Sequence, residues 1–242
     1  MTMMNTLTQI SVLSIIALAG CVSNDTVDDI DVNPDVIWGH YHASYSAQSK
    51  KVRFRSTLRV GGDTGTTVRL TGGAEIRVDG SKLNVQDGDD ALINVIGTYY
   101  ALEQSAEIPK ESYSFTWTRN DGQSFTNVVQ QAQSLSIVSP ASGAAIDPTQ
   151  PLTVKLSAPL KDNETAFVDI SAGEEYRTQL ISAGDTLTFT ASELAGLPVG
   201  GGLLSLSIRW ETNAVEGHPE EGGKLSSTMQ GNNVAIEIGG NE

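Results

Sequence analysis

The stretch Val52-Arg-Phe-Arg-Ser-Thr-Leu-Arg-Val60 constrains this chain more than any other. Val52, Phe54, Leu58 and Val60 share one side of an extended backbone; Arg53, Arg55 and Arg59 share the other. A period of two marks a half-buried antiparallel strand, because successive side chains point to opposite faces. Shorter runs of the same kind stand at Thr67 to Thr71, Ala74 to Val78, Lys82 to Val85, Ala91 to Leu102, Tyr113 to Arg119 and Ser124 to Gln130. Asp79-Gly80 and Asn120-Asp121-Gly122 lie between runs, where such residues close tight turns. More runs follow at Leu152 to Leu156, Ala166 to Ile170, Tyr176 to Ile181, Thr186 to Thr190, Leu203 to Trp210 and Val234 to Ile238. Helical periodicity is nearly absent after Cys21, apart from one turn and a corner within Ala191 to Gly200. The pattern predicts an all-β chain of two tandem antiparallel β-sandwiches, one over residues 36–133 and one over 134–242.

The chain has a single cysteine, Cys21, so no internal disulfide braces these sandwiches. Net charge is −14, which makes nucleic acid and anionic lipid headgroups poor partners. The charge is uneven: residues 35–134 carry 10 basic and 11 acidic side chains, residues 135–242 carry 5 and 14.

The cysteine has a context. Ile10 to Gly20 is an apolar run of 11 residues, too short to cross a bilayer core, which needs about 20. It has the length of a signal-peptide hydrophobic region. Leu18-Ala19-Gly20-Cys21, at its end, resembles the lipobox of bacterial lipoproteins. The resemblance implies cleavage after residue 20 and lipidation of Cys21. Two or more acyl chains make such an anchor stable where one does not. Val22 stands where Asp would retain an enteric lipoprotein in the inner membrane, so the resemblance implies the outer membrane, on either face. A departure is that Met1 to Gln9 holds no Lys or Arg. Residues 22–35 carry five acidic groups and little apolar periodicity, which predicts a flexible acidic tether over residues 21–35.

Near Gln133 the composition changes. Ser134-Leu-Ser-Ile-Val-Ser-Pro-Ala-Ser-Gly-Ala-Ala-Ile146 resembles the opening of bacterial immunoglobulin-like and fibronectin III-like domains. The cysteine pair of antibody domains is missing.

Candidate sites are sparse. His40 and His42, spaced i and i+2 on a strand, point the same way and are candidate metal ligands. Asp87, Asp89 and Asp90 read as an oxygen-rich loop suited to Ca2+, without the spacing of a helix–loop–helix calcium site. Lys51, Arg53, Arg55 and Arg59 form a basic strip that could meet an acidic glycan, an acidic protein or the second domain. No nucleophile elbow, phosphate loop or dinucleotide fingerprint is present. The expectation is a non-enzymatic envelope lipoprotein, without cofactor, held by acyl chains and binding a protein partner or supporting an envelope assembly. A carbohydrate- or cell-wall-binding lipoprotein is the alternative, and a hydrolase with an unrecognised site stands behind it.

Overall fold

The computed structural model describes residues 25–91, 93 and 95–239. The first half holds β1 Thr26–Asp28, β2 Ile37–Ser46, β3 Lys51–Val60, β4 Thr66–Arg69, β5 Glu75–Val78, β6 Ser81–Lys82, β7 Asn84–Asp90, β8 Val95–Ser105, β9 Ser112–Thr118 and β10 Ser124–Gln130. The second holds β11 Ile137–Ser139, β12 Ala144–Ile146, β13 Leu152–Leu156, β14 Glu164–Ala172, β15 Glu175–Ile181, β16 Thr186–Phe189, α1 Ala191–Leu194, β17 Gly200–Thr212, β18 Gly223–Gln230 and β19 Val234–Ile238. Asp79 and Gly80 both take positive φ, 47° and 83°, as the turn between β5 and β6 requires.

One long sheet runs through both halves in the order β1-β4-β3-β2-β18-β17-β14-β15. β8 and β7 extend it beside β3, and β19 and β12 beside β17. Two smaller sheets, β10-β9-β5-β6 and β11-β13-β16, complete an all-β pair of sandwiches. Tyr41 and Phe54 of the long sheet meet Phe115 at centroid distances of 5.6 and 5.9 Å, and Phe54 meets Tyr113 at 4.9 Å. The buried side chains of both halves form one continuous apolar cluster.

The sandwiches are fused, not merely strung together. β18 belongs to the second half by sequence, yet it pairs in parallel with β2, from Gly223 opposite Gly39 to Gln230 opposite Ser46. A parallel pair is favoured where both faces are covered, and both strands are buried along nearly their whole length. The first residues of the seam must be glycine. A Cβ on Gly223 would strike the carbonyl of Gly39, and one on Gly39 would strike the His218 ring. The strand break between the halves, residues 131–136, coincides with the composition change near Gln133.

Three sequence expectations need correction. The flexible tether is docked from Asp25 onward. β1 pairs in parallel with β4, the Asp29 carboxylate accepts from Thr71 N and Oγ1 at 2.8 and 2.7 Å, and Asp35 meets Arg119 at 3.1 Å. Acidic composition misled because these carboxylates have buried or fixed donors. The supposed Asp87–Asp90 loop is the end of strand β7, paired with β8. Gly200, where a corner was expected to end, opens β17 together with Gly201 and Gly202, beside β19. The close approach of Ser171 O leaves no room for a side chain at Gly202. Cys21 and the lipobox residues Leu18, Ala19 and Gly20 lie outside the described residues.

Candidate functional site at the strand seam

The long sheet has one face on the apolar core and an opposite, polar face. Alternation along β2 sends Tyr41, Ala43 and Tyr45 to the core and Trp38, His40, His42 and Ser44 to the other side. The neighbouring strands do the same. β3 sends Arg55, Thr57 and Arg59 to the polar face, β18 sends Lys224 and Ser226, and β17 sends Arg209 and Glu211. Residues that looked unrelated in sequence therefore converge here: His40, His42, Arg55 and Asp90.

Their convergence makes no metal centre. His40 Nε2 and His42 Nδ1 both bond Ser226 Oγ, at 2.7 and 2.8 Å. Ser226 has one hydroxyl proton, so its oxygen accepts from one imidazole and donates to the other. Donation from His42 Nδ1–H and acceptance by His40 Nε2 leaves only an acceptor, His42 Nε2, buried without a partner. Among the described residues no group of three or more His, Cys, Asp or Glu could hold a metal ion. Asp87 is turned instead to Arg69 and Thr98, at 2.9 and 2.6 Å, and Asp90 to Arg55 at 2.6 Å. Asp89, exposed on the same strand, joins neither.

The basic strip is also corrected. Lys51 and Arg53 share Glu103, at 2.5 and 2.7 Å, and hold its carboxyl down to about 2. Arg55 pairs with Asp90, and Arg59 is buried with Nη1 donating to Gly65 O at 2.8 Å. Strand pairing with β8 and β7 supplies the acids, so the strip is largely neutralised within the fold.

Burial governs the electrostatics. His40 is held well below the usual imidazole range, first by desolvation and then by His42, Lys224, Arg59 and Arg209. His42 falls to about 4, by burial and by Arg209, with Asp90 opposing. Beside them opens a cavity of about 230 Å3 lined by Trp38, His40, Asp63, Ala91, Ile93, Arg209, Glu211, Lys224 and Ser226. A shallower groove of about 590 Å3 continues past Trp38 and Asp63 toward Asn213 and Glu221. A cleft of about 630 Å3, on whose walls stand Tyr45, Ile108, Gln131, Glu164, Trp210 and Met229, lies between the sandwiches.

Trp38, Arg209, Glu211, Lys224 and Ser226 escaped sequence reasoning. All but Trp38 come from strands far along the chain, and parallel pairing of β2 with β18 leaves no local sequence signal. His218 is buried in the first sandwich, with Nδ1 bonding Ile37 O at 2.6 Å and Nε2 bonding the Tyr41 hydroxyl at 3.0 Å.

No family model and no curated protein matches this chain. Among solved structures it is similar to the paired immunoglobulin domains IG1 and IG2 of DIP-gamma, at 10% identity, 84% coverage of this chain, 96% of that one, and a TM-score of 0.22. It is similar also to fibronectin(III)-like modules of Clostridium thermocellum CbhA, at 11% identity, 81% and 87% coverage, and a TM-score of 0.26. At such TM-scores the likeness carries no argument of its own. The class, an all-β double sandwich, rests on the sheets described above.

Proposed function

We propose that this chain is a membrane-anchored, non-enzymatic module that binds a protein partner along strand β15. One observation carries the reading: β15 is an outer strand of the long sheet, paired among the described residues with β14 alone. It displays Tyr176 and Leu180 at 71% and 59% exposure. An unpaired edge is a template for an added strand, and flanking apolar side chains supply its grip. The Ser226–His40 pair does not favour catalysis. The hydroxyl is buried mid-strand, and its oxygen already accepts the His42 Nδ1 proton.

The anchor rests on Leu18 to Cys21. Because the chain is docked from Asp25 onward, the few intervening residues reach at most about 14 Å, so the body would sit close against the lipid surface.

The test places a photo-crosslinking residue at Thr178 of the full-length protein in cells. The reading expects a discrete protein adduct and a membrane-fraction signal that Cys21→Ser releases. Membrane retention of Cys21→Ser would sink the anchor; absence of any protein adduct at Thr178 would sink the edge as a docking strand.

A further inference from the structure

The cavity beside His40 is lined by two cations, Arg209 and Lys224, and two acids, Asp63 and Glu211. Lys224 is matched by Glu211 at 2.7 Å, and Arg55 by Asp90 at 2.6 Å. Arg209 makes no ion pair among the described residues; its guanidinium lies 5.2 Å over the Phe167 ring. A planar fork held by an aromatic ring, with its charge unspent, is the geometry that receives a carboxylate through two parallel hydrogen bonds. On the same wall Trp38 offers ring surface, and Asp63 and Glu211 offer acceptors for hydroxyl groups. At about 230 Å3 the space is below the roughly 300–1,000 Å3 of sites for drug-sized molecules.

We infer that this cavity is a binding site for a single acidic sugar residue of uronate type, its carboxylate on Arg209 and its ring against Trp38. The site is independent of the β15 edge. Binding is coupled to protons. A carboxylate on Arg209 offsets the positive charge that Arg209, Lys224, Arg59 and Arg55 direct at His40 and His42, which the acids Asp63, Asp90 and Glu211 oppose. Both imidazoles then hold a proton more readily, so the complex takes up protons and tightens only as pH falls toward the low range in which these buried imidazoles titrate.

The test titrates the detergent-solubilised full-length protein with D-glucuronate and with D-glucose, following the Trp38 indole N–H resonance. The expected result is saturable binding of glucuronate and at least about tenfold weaker binding of glucose. Arg209→Gln should lose about tenfold or more, and Arg209→Lys should fall between the two. Arg209 is exposed, so neither variant threatens the fold. No shift with either sugar, equal binding of both, or full affinity in Arg209→Gln would each overturn the assignment.

Discussion

The imidazole of His218 lies flat on the indole of Trp117, with centroids 4.8 Å and planes 7° apart. His218 comes from the turn between β17 and β18, in the second half of the chain, and Trp117 from β9 in the first. The same turn is fastened by Arg119, whose guanidinium donates to Gly217 O at 2.6 Å and covers the Trp117 ring at 4.8 Å. Asn127 exchanges two hydrogen bonds with the Glu216 backbone, at 3.1 and 2.7 Å. The turn is a plug that locks the second half into the core of the first.

Removing the plug should be costly. His218→Ala deletes the stack, leaves the Tyr41 hydroxyl and Ile37 carbonyl without their partner, and opens a cavity. The expected loss is about 2–4 kcal/mol. His218→Phe keeps a ring on Trp117 and isolates the hydrogen bonds, at about 1–3 kcal/mol. Urea unfolding of the two variants against the parent separates these contributions; near-parental midpoints would show that the plug is dispensable.

Acid should weaken the fold before the carboxylates titrate. His42 and His218 sit near 4 in the folded chain, and His40 is also held low, against about 6.5 when unfolded. For His218 the cause is burial, with Arg119 adding to it and the Ile37 carbonyl opposing. The unfolded chain therefore binds more protons between about 4 and 6.5, and stability falls as pH drops through that window while staying flat above it. Each histidine near 4 contributes up to about 3 kcal/mol across the full window. Urea midpoints at pH 7.5, 6.0 and 5.0 should fall in that order, more gently in His218→Phe. A midpoint unchanged at pH 5.0 would contradict neutral, buried imidazoles.

The N-terminal segment should be released by one substitution. Asp29 holds Thr71 through two bonds and Asn120 through a third at 2.7 Å. Asp29→Ala should cost about 1–3 kcal/mol and raise amide exchange over β1 more than over β9. Equal protection of β1 in parent and variant would mean that strand pairing with β4 alone holds the segment.

These relationships divide by what sequence can carry. Half-buried strands such as β3, β13 and β19 were legible because one face meets the core and the other meets water. β2 and β18 were not read as full strands. Both their faces are covered, and His40, His42, Ser226 and Thr228 put polar residues where alternation expects solvent. Their parallel pairing joins residues nearly two hundred positions apart, so no local pattern announces it. The candidate site was legible in pieces, as His40, His42, Arg55 and Asp90. Arg209 and Ser226 entered only with the fold. Acidic composition, conversely, overstated disorder before residue 36, because Asp29 and Asp35 find donors in Thr71, Asn120 and Arg119 of the first sandwich.

Two ion pairs on β3 should respond differently to loss of one partner, though the side chains look alike in sequence. Arg53 and Glu103 are 49% and 39% exposed, while Arg55 and Asp90 are 17% and 9% exposed. Water and salt screen the first pair, so Arg53→Gln should shift stability by no more than about 0.5 kcal/mol. Asp90→Asn leaves the Arg55 charge half-buried without its countercharge and removes a group that favours protonated His42. Its cost should be about 1–3 kcal/mol, and it should persist at high salt, where the Arg53 effect vanishes. Thermal unfolding of both variants at low and high ionic strength decides the matter. Equal, salt-sensitive losses would mean that the turn after β7 leaves the Arg55–Asp90 pair open to solvent.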